Sequence, residues 1–190
     1  MPESWNRLRT TALDSTNTLS EILSDPECDD RRLVTGYLEA KHALANAFEA
    51  FAIEKYTEPS IFDIVKDSLE RVMRETYPHI PSRYLRVRGY GSTHRLLLAY
   101  IVGRAGKDID ASELRMLTGD AVHTERRARE LRDLGFRLDA RHTQGADVYV
   151  LTELEADFKF GARALIAKNI REDRTITKSE ASDLLESLGG

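Results

Sequence analysis

Cysteine is almost absent from this sequence, because Cys28 is the single one among 190 residues. A lone cysteine cannot form an intrachain disulfide, and it cannot supply the paired ligands of a common zinc site. Long apolar runs are also missing, since no stretch approaches the roughly 18 residues that a membrane-spanning helix needs. The first residues lack the apolar core of a signal peptide. We therefore expect a cytoplasmic protein with no membrane partner.

Residue patterns that carry common catalytic chemistry are missing as well. The five histidines are scattered without the spacing of metal ligands, at His42, His79, His94, His123 and His142. The segment Gly89-Tyr90-Gly91 is too short and too aromatic for a phosphate-binding loop. No Ser/His/Asp group or close carboxylate pair stands out. We expect a protein that is not an enzyme and that holds no metal and no cofactor, with His42 and His94 as structural histidines.

One segment loosely matches the acid…Glu-x-Lys pattern of metal-dependent nucleases. It consists of Glu39-Ala40-Lys41, with Asp29 and Asp30 upstream. Such nucleases place the glutamate and the lysine on a strand, so that both side chains point at the metal. Here both residues fall within a strongly helical pattern, so the nuclease interpretation is not favoured.

Charge is distributed unevenly along the chain. The net charge is −4 overall, with −6 in residues 1–80, +4 in residues 81–150 and −2 in residues 151–190. An acidic whole argues against nonspecific coating of nucleic acid, but the basic middle third can still form a local surface that faces phosphates. The hydrophobic fraction of 41% and the charged fraction of 32% are typical of a helix-rich globular protein.

Apolar spacing in the first third predicts helices. Residues 14–23 form a short candidate, residues 31–52 a long amphipathic helix, and residues 61–73 a further helix that ends before Tyr77-Pro78. The second and third can pair as an antiparallel hairpin. Near the C-terminus, residues 154–170 and 177–188 form two more candidate helices. The second of these begins with a capping box of Thr177 and Glu180.

From Ser92 the order of predicted elements becomes specific. A buried helix at residues 93–102 precedes a short extended piece, and Asp110 then caps a helix with Glu113 completing a capping box. Thr118-Gly119-Asp120 is a tight turn, and Asp120 is expected to cap a helix from Ala121 to Leu134 that stops at Gly135. Two strands follow at residues 136–139 and 148–151, separated by the polar residues 142–147.

This order, and the run from Leu117 to Phe136 in particular, resembles the recognition-helix half of winged helix-turn-helix domains. The resemblance is to modules of bacterial regulators and of restriction-type endonucleases, and it covers about a third of the chain. Together with the helices predicted at both ends, it leads us to expect a mainly α fold (α+β locally) with three parts. These are a helical N-terminal region at residues 1–81, a winged helix-turn-helix domain with a β-hairpin wing at residues 82–152, and C-terminal helices at residues 153–190.

Helical geometry indicates which residues of the predicted recognition helix face DNA. Ala121, Thr124, Glu125, Ala128 and Leu131 share one face, which packs inward except for Glu125 at its edge. Arg126 on the opposite face is the candidate base reader, because a guanidinium donates two parallel hydrogen bonds to guanine. His123 lies near the helix start, where base edges are met, and Arg127 and Arg129 on the flanks are expected to contact phosphates. The alternative is a solvated helix whose arginines pair with Glu125, Glu130 and Asp133.

Two further segments are candidate phosphate contacts. The predicted wing tip offers Arg141, His142 and Gln144, although an ordinary solvated hairpin explains them equally well. The linker before the domain offers Arg86 and Arg88, in a stretch whose charged residues are all arginine. A basic connector held by the acidic N-terminal helices is an equally good interpretation of that stretch.

Double-stranded DNA is therefore the predicted partner. We interpret the chain as a noncatalytic DNA-binding protein, either a transcriptional regulator or a phage- or defence-associated protein. The alternative is an adaptor whose winged helix docks a partner subunit such as a nuclease. The terminal helices carry more aromatic surface than a small domain covers, so we also predict a homodimer or docking to another protein. That surface comprises Phe48, Phe51, Phe158 and Phe160.

Overall fold

The computed structural model describes residues 4–56, 60–143 and 145–189. The fold is mainly α, with one small three-stranded antiparallel sheet. The helices and strands in chain order are α1 (Trp5–Ser24), α2 (Asp30–Tyr56), α3 (Ile61–Thr76), α4 (Ser92–Gly103), β1 (Ile109–Asp110), α5 (Ala111–Leu117), α6 (Thr124–Glu130), β2 (Leu138–Thr143), β3 (Ala146–Leu151), α7 (Phe158–Glu172) and α8 (Lys178–Glu186). Over these described residues, none of the helices has the length and apolar character needed to cross a membrane.

The N-terminal helices pair differently from the prediction. The main neighbour of α2 is α1, and the main neighbour of α3 is α7, so α2 and α3 do not form the expected hairpin. Helix α1 also starts nine residues earlier than predicted, at Trp5. Tertiary contacts explain its length, because the Trp5 ring lies 5.4 Å from Phe51 and 6.0 Å from Phe48. The backbone N–H of Trp5 also donates to Glu54 Oε1 over 2.7 Å.

The elements from α4 to β3 follow the predicted order. Helix α4 is largely buried, and Leu114 and Leu117 of α5 are almost fully buried. The predicted cap of α5 is confirmed, since Asp110 accepts from the N–H of Ser112 over 2.7 Å and Glu113 accepts from the N–H of Asp110 over 3.4 Å.

The helix after the turn begins at Thr124, three residues later than predicted. Asp120 and His123 adopt left-handed φ angles of 58° and 67°, so residues 121–123 belong to the turn. Two buried hydroxyls close this turn, because Thr118 Oγ1 and Thr124 Oγ1 lie 2.7 Å apart. Asp120 does not cap the helix as predicted but pairs with Lys41 of α2 at 3.5 Å.

Helix α6 is also shorter at its end than predicted. It stops at Glu130 and continues as a 3-10 turn over Leu131–Leu134. Gly135 then adopts a left-handed φ of 92°, which confirms the predicted stop at this glycine.

The sheet has the order β1-β3-β2, and its hairpin is longer than predicted. Strands β2 and β3 pair from Leu138↔Leu151 to Thr143↔Ala146, so Arg141 and His142 lie on a strand instead of in a loop. The residues of β2 after Leu138 are all exposed, so they do not show the alternating apolar pattern that predicts a strand. Backbone pairing alone extends the strands there.

The C-terminal helices complete the core. Helix α7 begins at Phe158, four residues later than predicted, and Asp157 caps it by accepting from Lys159 N at 3.1 Å and Phe160 N at 3.0 Å. The predicted capping box of Thr177 and Glu180 opens α8. One hydrophobic cluster joins α3, α4, the sheet and α7, and so contains residues from all three predicted regions. The boundaries of those regions stay predictions.

Candidate nucleic-acid interface

Helix α6 has one buried and one exposed face, as its sequence predicts. Thr124, Ala128 and Leu131 are almost fully buried, while His123 and Arg126 are exposed. Glu125 lies between the faces and forms an ion pair with Arg115 of α5. The helix is therefore fixed by its inner face, and the outer face is open to a ligand.

Arg126 forms a network with residues from the linker and α4. Its Nε donates to Glu130 Oε1 over 3.1 Å, and its side chain remains 72% exposed. The other carboxylate oxygen of Glu130 lies 2.9 Å from His94 Nε2, and the Tyr90 hydroxyl donates to the Glu130 carbonyl over 3.2 Å. Burial disfavours ionisation of Glu130, but the hydrogen bonds from His94 and Arg126 outweigh it and hold the pKa of this carboxyl below its ordinary value.

The pairing of Arg126 with Glu130 is the contact that the solvated-helix alternative expects. The other two acids of that alternative have different partners, because Glu125 binds Arg115 and Asp133 lies 3.8 Å from Lys168 of α7. An exposed pair four residues apart contributes only about 0.3–0.5 kcal/mol in a helix. Such a contact does not prevent Arg126 from binding a ligand.

A polar cleft of about 380 Å³ separates α6 from the start of α4. Its walls include His123, Arg126 and Arg127 on one side, and the segment from Gly89 to His94 supplies the other. Arg127 Nη1 donates to Thr93 Oγ1 across it over 3.3 Å. Ser92 and Thr93 were not predicted to line this cleft, because nothing in the sequence pattern shows that the start of α4 lies against α6.

Arg129 is the last arginine of α6. It is exposed, and it makes neither a hydrogen bond nor an ion pair within the ranges that the structure describes. Burial raises the pKa of the Tyr149 hydroxyl on β3, and the positive charge of Arg129 opposes this rise.

The hairpin residues are each paired with a carboxylate. Arg141 binds Asp108, and His142 Nδ1 lies 2.9 Å from Asp147 Oδ1. All four side chains are more than half exposed, so water screens these pairs strongly and phosphate can replace them. The predicted contact Gln144 lies outside the described residues.

The linker arginines fall into two groups. Arg83 pairs with Asp173 at 3.5 Å and Arg95 pairs with Asp63 of α3 at 2.8 Å, as a structural connector would. Hydrogen bonds from Arg95 and Ser60 lower the pKa of Asp63 to about 2.

Arg86 and Arg88 form the second group, which is exposed and forms no ion pair with any described residue. The Asn169 amide of α7 donates to the carbonyls of Tyr84 and Arg86 over 2.8 Å each and holds this segment in place.

The structure thus brings only part of the predicted set together. His123, Arg126 and Arg127 line one cleft, with Arg129 on the same helix. Arg141 and His142 lie along the hairpin, and Arg88 lies beside the α7 residues Asn169 and Glu172. His94 is a buried histidine with two partners, as expected, whereas His42 is exposed on α2.

Metal-binding groups and the nuclease pattern add nothing to this surface. Within the described ranges, no three His, Cys, Asp or Glu side chains form a cluster suited to a metal ion. Glu39 and Lys41 lie in the middle of α2, which confirms the helical prediction for that segment.

A family model described as the KpnI N-terminal domain matches residues 94–153 of the chain. The family is DNA-related and of the restriction-endonuclease type. No curated protein and no solved structure matches the chain significantly. The matched segment is about a third of the chain, and it runs from α4 to two residues beyond β3. Over the elements that carry the exposed arginines of α6, the chain is therefore similar to a DNA-related family.

Proposed function

We propose that the chain binds double-stranded DNA through the module from α4 to β3, without catalysing a reaction. The observation that carries this proposal is the exposed face of α6. In a chain with a net charge of −4, this short helix presents His123, Arg126 and Arg129 outward, while its opposite face is locked into the core. A cationic face on an acidic protein concentrates phosphate binding at one place.

The arrangement around α6 supports a winged-helix interpretation. Helices α4, α5 and α6 follow each other with β1 before α5, and the β2–β3 hairpin comes next and pairs with β1. In this interpretation α6 is the recognition helix that enters the major groove, and the hairpin is the wing that lies against the backbone.

The likeness to the KpnI N-terminal domain favours a restriction-type or defence-associated role over transcriptional regulation. We infer that the protein recognises DNA for such a system. If the winged helix were instead an adaptor that docks a partner subunit, the exposed basic face of α6 would have no phosphate to bind.

Binding to duplex DNA is expected to weaken steeply with salt. Each phosphate neutralised by an arginine contributes about 0.9 to the slope of log K against log salt, so about four contacts give a slope near −3.6. A fluorescence-anisotropy titration of a labelled duplex over a salt series measures this slope. An enriched motif from random duplexes identifies the preferred site, while an absence of binding at low salt contradicts DNA recognition and favours the adaptor.

We also propose that a second copy of the chain covers the apolar face of α2. Six exposed apolar residues follow this helix, at Leu33, Val34, Tyr37, Leu38, Leu44 and Phe48. Tyr37, Leu44 and Phe48 line a groove of about 310 Å³ that reaches Met116 of α5. Four of them form two pairs that are symmetric about the midpoint between Ala40 and Lys41, Leu33 with Phe48 and Tyr37 with Leu44. A two-fold axis there superimposes the apolar face on its copy and brings Arg32 opposite Glu49 of the second copy, so the charges are complementary.

The purified protein is therefore expected to have a mass about twice the 21.5 kDa of one chain. Tyr37→Glu should convert it to monomers, because it places a charge on the shared apolar face. Ile64→Glu is the matched control, since Ile64 is 65% exposed on α3 and lies outside this face. Light scattering at micromolar concentration measures the mass, and a monomeric unmodified protein refutes the dimer.

A further inference from the structure

We propose that Glu130 is a positioning residue that holds Arg126 in the orientation needed to bind guanine. The inference rests on the proposed function and concerns the specificity of the same surface. Glu130 carries a negative charge on a helix expected to face phosphates, which by itself weakens DNA binding. Its contacts show what this acid does there.

The Glu130 carboxylate is held from behind by a buried histidine. The N–H of Gly91 donates to His94 Nδ1 over 3.2 Å, so that nitrogen carries no proton. The neutral ring then has its proton on Nε2 and donates it to Glu130 Oε2 over 2.9 Å. His94 is 5% exposed, and its ring packs edge-on against Tyr90 at 4.9 Å. The carboxylate is thus fixed by α4 and the linker instead of moving freely in solvent.

The second carboxylate oxygen fixes Arg126. Arg126 donates to it through Nε, over 3.1 Å, and its two terminal nitrogens have no partner within the described part of the chain. Those two nitrogens are the pair that binds O6 and N7 of guanine end-on. Because the guanidinium is planar, holding Nε sets the plane of the whole group.

A held arginine gives up less side-chain entropy when it binds a base. Immobilising a flexible side chain costs entropy, and the contact with Glu130 carries part of that cost before DNA arrives. A phosphate, in contrast, accepts an arginine in many orientations. Glu130 should therefore favour the preferred site and disfavour random DNA, two effects of opposite sign that a purely structural role does not produce.

Glu130→Gln tests the proposal with anisotropy titrations on the selected duplex and on a random duplex. A glutamine has one acceptor oxygen for two donors, so Arg126 or His94 loses its partner. We expect affinity for the selected duplex to fall about twofold, which is the effect that a contact of this kind can have. Affinity for random DNA should rise about twofold, because one anion near the phosphates is removed.

Two variants separate charge and folding from positioning. Glu125→Gln removes the same charge from the same helix, but Glu125 binds Arg115 instead of Arg126, so affinity for both duplexes should rise alike. Glu130→Asp keeps the charge but is too short to bridge His94 and Arg126. It should leave random binding unchanged and lower affinity for the selected duplex, even if Glu130→Gln fails to fold.

The selected duplex also identifies the base. Replacing each of its guanines in turn by 7-deazaguanine removes N7. At one position this should weaken binding of the unmodified protein, but it should not further weaken binding of the Glu130→Gln variant. Absence of any duplex binding refutes the proposed function itself. If the protein binds specifically but Glu130→Gln and Glu130→Asp leave the ratio of affinities for the two duplexes unchanged, the role of Glu130 is refuted and the proposed function is not.

Discussion

Gly135→Ala is expected to lower the free energy of unfolding by about 2–5 kcal/mol, because it combines a left-handed backbone with a clash. Gly135 has a φ of 92°, and a Cβ there would lie 2.3 Å from the Asp157 carbonyl oxygen. The carbonyl of Gly135 also accepts from the N–H of Asp157 over 2.9 Å. The turn after α6 is thus seated directly on the cap of α7, and neither backbone segment can withdraw without breaking this contact.

Two other glycines separate the causes of that loss. Gly106 has a φ of 75° with no atom within 4 Å of its Cβ position, so Gly106→Ala reports backbone strain of about 1–2 kcal/mol. Gly161 lies in α7 without a left-handed φ, and its Cβ would approach the Leu134 carbonyl carbon to 2.8 Å. Gly161→Ala therefore reports the clash without backbone strain, reduced by the roughly 1 kcal/mol that alanine gains over glycine in a helix. Urea unfolding of the three variants measures the differences. If Gly135→Ala costs no more than Gly106→Ala, the close seating of α6 on α7 is wrong.

Arg126→Ala is expected to cost about 1–3 kcal/mol of binding free energy on the selected duplex and much less on random DNA. The terminal nitrogens of Arg126 have no partner in the described part of the chain, and its side chain is 72% exposed on a helix whose opposite face is buried. His123→Ala should behave in the same way, since His123 precedes α6 on the exposed side of the same cleft. Parallel titrations on the two duplexes measure both losses.

Phosphate contacts should give a different pattern, which serves as the control. Arg86→Ala and Arg141→Ala should weaken binding to both duplexes by the same factor. Each should also reduce the slope of log K against log salt by about one unit. Arg126 is exposed, so its replacement should leave stability unchanged. Equal losses on both duplexes for Arg126→Ala would make it a phosphate contact, and no loss on either would show that α6 does not enter the groove.

Local sequence determined the parts of this protein that depend on neighbouring residues. The capping boxes at Asp110 and Thr177 are closed by residues three positions further on, so a short pattern specifies them. The stop at Gly135 follows from a backbone angle that glycine adopts without strain. The inner face of α6 follows from the helical period alone, and burial of Thr124, Ala128 and Leu131 confirms it.

Tertiary contacts determined the features that depend on residues far apart in the sequence. Helix α6 starts late because Thr118 and Thr124 join their hydroxyls and because Lys41, far along the chain, attracts Asp120. The cleft beside α6 and the carboxylate that holds Arg126 depend on His94, which is 36 residues away from Glu130. A periodic pattern shows which way a side chain faces on its own helix, but it carries no information about the helix packed opposite. The sequence alone therefore identified the surface of α6, and the packing of α4 against it determined how Arg126 is held.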